Sequence, residues 1–103
     1  MSDSRIISQR QAYTWMQEDP KTLVLDVRTE SEYKTGYIPG AKLLPVDEVE
    51  SRAESFLPDK EVRILIYCRS GIRSQTALKI LTEKGYTRVY DFGGILDWPY
   101  ERA

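Results

Sequence analysis

Cys68 is the single cysteine of a 103-residue chain that contains no histidine. A cysteine thiolate is a strong nucleophile, so this residue is the first candidate for chemistry. The missing histidine excludes Ser-His-Asp and Cys-His arrangements. A structural zinc site is excluded too, because such sites need several thiolate or imidazole ligands. Any reaction must therefore rest on Cys68, on carboxylates or on a bound cofactor. Directly after the cysteine come Arg69, Ser70, Gly71, Ile72, Arg73 and Ser74. No acidic residue occurs between Val62 and Thr82, whereas Asp47 to Glu61 holds six acids and two bases. The net charge of −1 thus conceals a basic patch centred on the cysteine.

The surrounding elements set where that patch must lie. Ile64 to Tyr67 is apolar throughout and largely β-branched, and reads as a central strand with Cys68 at its C-terminal end. The loop from Arg69 to Arg73 leads into a helix through Ala77, Leu78, Ile80 and Leu81. Sites in open α/β sheets gather at the carboxyl ends of strands. Loop amides and the first helical turn there form a nest for an anion. With Arg69 and Arg73 alongside, these features favour a reactive thiolate at Cys68 over a thiol. The competing reading is a buried, inert cysteine that only fills a strand end.

Short apolar runs alternate with amphipathic ones along the rest of the chain. Ile6-Ile7 reads as a short edge strand. Ser8 opens a helix, with Gln11 completing a capping box. Leu23 to Leu25 is a buried strand ending at Asp26-Val27-Arg28. Thr29 caps a brief helix over Glu30 to Lys34, and Arg28 and Glu32, four residues apart, are spaced to pair. A strand at Ala41 to Leu44 follows, and then a helix capped by Asp47. Thr87 to Tyr90 is a fifth strand, and Gly93-Gly94 opens a last short helix near Ile95 to Trp98. Strands alternating with helices at these spacings predict an α/β fold with a mostly parallel five-stranded sheet and helices on both faces.

Composition bounds the function further. The length suits a single domain over residues 1–103, with no repeat or linker. One cysteine fits a reducing compartment, and a cytoplasmic address is expected. Met1 to Gln11 is polar and carries no apolar run of signal-peptide type. No apolar stretch approaches the ~20 residues that span a bilayer. Balanced charge argues against nucleic acid or an anionic membrane as partner, and a monomer is the default.

The string Tyr67-Cys68-Arg69-Ser70-Gly71-Ile72-Arg73-Ser74 resembles the active-site loop of the rhodanese family. The resemblance extends to Asp26-Val27-Arg28, Glu32-Tyr33, Gly36-Tyr37-Ile38-Pro39-Gly40-Ala41 and Gly93-Gly94-Ile95-Leu96-Asp97-Trp98, in family order over nearly the whole chain. It implies a single rhodanese-like domain with a three-layer fold, needing no metal or cofactor. Its activity would be sulfur transfer. The Cys68 thiolate attacks the outer sulfur of an anionic donor such as thiosulfate, and the persulfide passes its sulfur to cyanide, a thiol or a protein acceptor. On this resemblance Cys68 is the nucleophile, the amides from Arg69 through Ser70, Gly71 and Ile72 to Ser74 cradle the persulfide or donor, and Arg69 and Arg73 hold the sulfonate oxygens. Asp26 and Arg28 are read as mainly structural, with a supporting place beside the loop. Tyr37 stands where the family often has histidine, which removes the last candidate for a general base.

Two rival readings remain. Cell-cycle phosphatases of the same fold, and arsenate reductases, pair a cysteine with an arginine in Cys-x5-Arg. Here the spacing from Cys68 to Arg73 is Cys-x4-Arg, a tighter ring that suits one sulfur atom better than a phosphate. The other rival is a non-catalytic rhodanese-like module that only binds partners, although such modules usually lack the cysteine that this chain keeps.

Overall fold

The computed structural model describes residues 5–103. Part of the polar stretch read at Met1 to Gln11 therefore lies outside the described residues. The elements, in chain order, are α1 (Gln9–Glu18), β1 (Leu23–Asp26), α2 (Glu30–Lys34), β2 (Lys42–Leu43), α3 (Val46–Phe56), β3 (Ile64–Cys68), α4 (Ile72–Glu83), β4 (Val89–Gly94) and a closing 3-10 turn (Ile95–Asp97). The fold is α/β, with a parallel sheet in the order β2-β1-β3-β4.

The five-stranded sheet expected from the sequence has four strands. Ile6 makes only an isolated parallel bridge to Asp91, so the proposed edge strand is reduced to one contact beside β4. A pair of isoleucines is too short to extend a ladder before Ser8 turns the chain into α1. The last strand also runs later than expected, from Val89 to Gly94 rather than Thr87 to Tyr90.

Local chemistry explains most boundaries. The Ser8 hydroxyl accepts the Gln11 N–H at 2.9 Å, which caps α1. Thr29 and Glu32 form a reciprocal capping box at α2. Asp47 does not cap α3 as expected. Pro45 takes that position with φ −54°, and Asp47 falls in the first turn, where its charge favours the helix N-terminus without capping it.

Strand alternation divides the core into two layers. Ile64, Ile66 and Cys68 of β3 face α3 and α4, meeting Val49, Ala53, Ala77 and Leu81. Leu65 and Tyr67 face the other side, with Ala12 of α1, Ile38, Phe92 and Trp98. Between β3 and β4 the register slips, since Ile66 pairs with Asp91 but Cys68 pairs with Gly94. Such a bulge bends the strand locally. Here it lies at the cysteine's own level.

Candidate active site

Cys68 is the last residue of β3, its side chain is buried, and it points to the face that α4 covers. Two amides converge on its sulfur. The Gly71 N–H lies 3.0 Å from Sγ and the Ser74 N–H 3.4 Å away. The Ser74 hydroxyl is 3.6 Å from the same sulfur. Of the amide run expected from Arg69 to Ser74, these two reach the sulfur. Gly71 makes the turn possible: its φ of +107° is a left-handed conformation that side chains resist, and it opens α4.

The loop is pressed onto the end of β4. A Cβ at Gly94 would stand 2.2 Å from the Arg69 carbonyl oxygen and 2.6 Å from Ser70 Cα. The Gly-Gly pair, read from sequence as a helix opener, is thus the floor of the cysteine loop. Three further hydrogen bonds hold that floor. The Gln9 amide donates to the carbonyls of Phe92 at 2.7 Å and Gly94 at 3.1 Å, and the Leu96 N–H donates to the Arg69 carbonyl at 3.2 Å. No motif in the sequence pointed to Gln9. Its role depends on a contact across more than eighty residues.

The remaining predicted residues spread over three settings. Ser70 and Ile72 are exposed on the outer rim, with Ile72 73% exposed. Arg69 is exposed too, and lines a cleft of about 250 Å³ with Arg28, Arg102, Glu32 and Leu96. Arg73 turns to Glu32 in a two-pronged pair at 2.7 and 2.9 Å. That pair holds the Glu32 carboxyl down at about 2 and the Arg73 guanidinium above its usual value. The expected Arg28–Glu32 pair is not formed, because each residue has a better-placed partner. Arg28 bonds Asp26 through Nε and Nη2, and its Nη2 also reaches the Gly36 carbonyl at 2.7 Å.

Asp26 and Arg28 are both buried, and the Tyr67 hydroxyl donates to Asp26 Oδ2 at 2.7 Å. Burial works against the Arg28 charge, but the hydrogen bonds and charge of Asp26 outweigh it and raise its affinity for protons. Burial, then the Asp26 bond, pushes the Tyr67 phenol upward. Asp26 pairs in register with Tyr67, so alternation puts both side chains on the face opposite Cys68. They brace the carboxyl end of β1 and do not reach the sulfur.

A cysteine at a parallel-strand end, cradled by loop amides before a helix, is the geometry that the resemblance predicted. A model described as "Rhodanese-like domain" matches residues 8–100. The chain belongs to the rhodanese-like domain family. Among similar rhodanese-like proteins, the thiosulfate sulfurtransferase PspE of Escherichia coli is 38% identical over 71% of this chain and 70% of its own length. A sulfurtransferase of Allochromatium vinosum is 42% identical over 93% of this chain and 84% of its own. A rhodanese-like domain protein from Staphylococcus aureus superposes with a TM-score of 0.81 at 32% identity, covering 94% of this chain and 93% of that one. Among the described residues, no group of three or more His, Cys, Asp or Glu is placed to hold a metal ion, and no helix is long and apolar enough to cross a membrane.

Proposed function

We propose that residues 1–103 form one sulfurtransferase domain that carries a sulfane sulfur as a persulfide on Cys68. The observation that carries this reading is the convergence of the Gly71 and Ser74 amides on the Cys68 sulfur. Amides that solvate a thiolate also solvate the terminal sulfur anion of a persulfide, so the loop serves both halves of the cycle. The thiolate attacks the outer sulfur of a thiosulfate-like donor; the sulfur–sulfur bond of the donor breaks, and its electron pair leaves on sulfite. An acceptor nucleophile, cyanide or a thiol, then takes the outer sulfur and returns Cys68 as thiolate.

The donor is an anion approaching an anion, so positive charge at the mouth lowers the barrier to encounter. Arg69 supplies it at the cleft, where Arg28 and Arg102 also stand. Arg73 keeps three guanidinium N–H groups beyond the two given to Glu32, which leaves it able to bind the donor's oxygens at the far end of the loop. Ser70 and Ile72 shape the rim. A reducing compartment such as the cytoplasm would preserve the thiol. The family resemblance and the similarity to named sulfurtransferases support the reading.

The test is intact mass spectrometry after incubation with thiosulfate. The protein gains the mass of one sulfur atom, cyanide removes it, and Cys68→Ser never gains it. No adduct on the wild type, or an adduct retained by the variant, overturns the mechanism. In parallel, Arg73→Ala raises KM for thiosulfate more than it changes alkylation of Cys68 by a neutral reagent.

A further inference from the structure

β4 is an edge strand, and its outer side is closed by residues 5–9, which lead into α1. Arg5 Nη1 donates to the carbonyls of Thr87 at 3.1 Å and Val89 at 3.3 Å. The Ile7 N–H donates to the Asp91 carbonyl at 2.9 Å, and the Gln9 amide takes those of Phe92 and Gly94. In a regular strand consecutive carbonyls point to opposite sides, yet those of Asp91 and Phe92 both accept from this segment. The slip that sets Gly94 against Cys68 puts one extra residue in β4, and the Phe92 carbonyl faces outward there. Gln9 is the group that satisfies the bulge.

We propose that Gln9 is a positioning residue for Cys68, acting through this bulge on the amides that cradle the sulfur. The contacts run without a gap from the glutamine to the cysteine. A Cβ at Gly93 would lie 3.4 Å from Gln9 Nε2, so the amide rests directly on that glycine. A Cβ at Gly71 would lie 3.6 Å from Gly93 Cα, and the Gly71 N–H stands 3.0 Å from Cys68 Sγ. Gly94, whose carbonyl Gln9 also holds, abuts Arg69 and Ser70. Gln9 itself is fixed from behind. It is the first residue of α1, whose Ser8 cap accepts the Gln11 N–H and whose Ala12 is buried against the sheet. The amide nitrogen must face the bulge, because an oxygen there would meet two carbonyl oxygens. Its Oε1 is buried with no hydrogen-bond partner among the described residues, so the hold rests on the Nε2 donors alone.

An amide stabilises a thiolate only within hydrogen-bond distance and alignment, and the interaction weakens steeply outside both. Holding the bulge still therefore holds the Gly71 N–H on the sulfur. Without the Gln9 donors, the carbonyls of Phe92 and Gly94 turn toward water, and the bulge shifts beneath Gly71. The charges around the loop are untouched by such a change. Arg69, Arg73 with its partner Glu32, and the buried Asp91 stand around it, with the Asp26–Arg28 pair on the far face. Gln9 hydrogen-bonds the side chains of none of them. A neutral replacement of Gln9 thus alters geometry and no charge.

This role rests on Cys68 as the nucleophile proposed above, and it is tested without any sulfur donor. Alkylation of the whole protein by iodoacetamide, an uncharged electrophile, is followed against pH, and the pH of half-maximal rate is compared between variants. Gln9→Met keeps the length and neutrality of the side chain but has no donor. Its half-maximal pH rises by about one unit, a tenfold loss of thiolate at pH below both values. Gln9→Ala moves in the same direction and carries the test if Gln9→Met does not fold. Tyr86→Phe is the control for stability alone. The Tyr86 hydroxyl also donates to two backbone carbonyls, those of Ala53 and Leu57, at the end of the parallel sheet opposite Cys68. That variant unfolds at a lower temperature and leaves the half-maximal pH where it is. An unmoved value in a folded Gln9 variant, or an equal rise in Tyr86→Phe, overturns the proposal. If the wild type still gains sulfur from thiosulfate in that case, the sulfur-transfer reading stands. A rise confined to the Gln9 variants, in a protein that thiosulfate never loads, supports the positioning and sinks the transfer.

Discussion

Two neighbouring parallel strands end at the same level of the sheet, and their ends are built on opposite principles. β1 ends in Asp26, whose carboxylate is saturated by Arg28 and by the Tyr67 hydroxyl. β3 ends in Cys68, whose sulfur accepts from two amides and donates to the Ser74 hydroxyl. On one face of the sheet a buried charge is fully paired; on the other, a thiol is met by neutral amides that would also suit an anion. Paired charges fix geometry because removing either partner strands the other. Neutral dipoles leave the sulfur free to change its charge and its length. The adjacent ends thus differ in kind, one a brace of paired charges and the other a thiol held by neutral dipoles.

The sharpest way to break this contrast is to unpair the braced end. Asp26→Ala strands the buried Arg28 guanidinium and should cost ~3–5 kcal/mol. Thermal unfolding should show it, because each kcal/mol moves the midpoint by roughly 4–8 °C in a domain of this size. Whatever fraction stays folded should still be loaded by thiosulfate. Loss of loading in folded protein would tie the two ends together more closely than their placement on opposite faces implies.

A smaller effect is expected from crowding the reactive end. In Gly94→Ala the new methyl meets the Arg69 carbonyl, and overpacking of this kind costs ~1–3 kcal/mol. The loop must then move, so thiosulfate turnover should fall by more than the loss of stability explains. Kinetics measured well below the unfolding midpoint separate the two. Unchanged kcat/KM would show that the loop tolerates a displaced floor.

The smallest effect lies between the two ends, at the half-exposed Glu32–Arg73 pair. Glu32 holds its proton far less tightly when folded, at about 2 against an ordinary 4.5, so its stabilisation is present above 4.5 and is lost as pH falls toward 2. Solvent screening limits the gain to on the order of 1 kcal/mol. Glu32→Gln keeps the capping box with Thr29 but loses the charge. Its stability at neutral pH should drop by that amount, and acid unfolding curves should be flatter between those values than in the wild type. An unaltered acid limb would mean that Arg73 is held by something other than Glu32.

Elements with their own local signals were legible in the chain. The Ser8 and Thr29 caps, the apolar run at Ile64 to Tyr67 and the cysteine loop each carry cues within a few residues, because capping and strand burial are short-range physics. Ile6-Ile7 carries no such cue, since two β-branched residues look the same whether they extend a sheet or touch it once. Arg28 and Glu32 show why spacing alone does not decide pairing. Their spacing suggested a contact along a helix, but Asp26 and Arg73 offered each of them a more complete set of hydrogen bonds.

The sequence by itself determined that the one available thiol is Cys68, that it would end a buried strand before a helix, and that basic residues would flank it. These follow from which residue types are present and which are adjacent. Tertiary structure alone decided that Gly94 supports the loop and that Glu32 holds Arg73. Both contacts join residues far apart in the chain, and they depend on strand order, on the face each side chain takes and on a one-residue slip between β3 and β4. Local propensity cannot encode such a meeting, because it exists only after the sheet has closed.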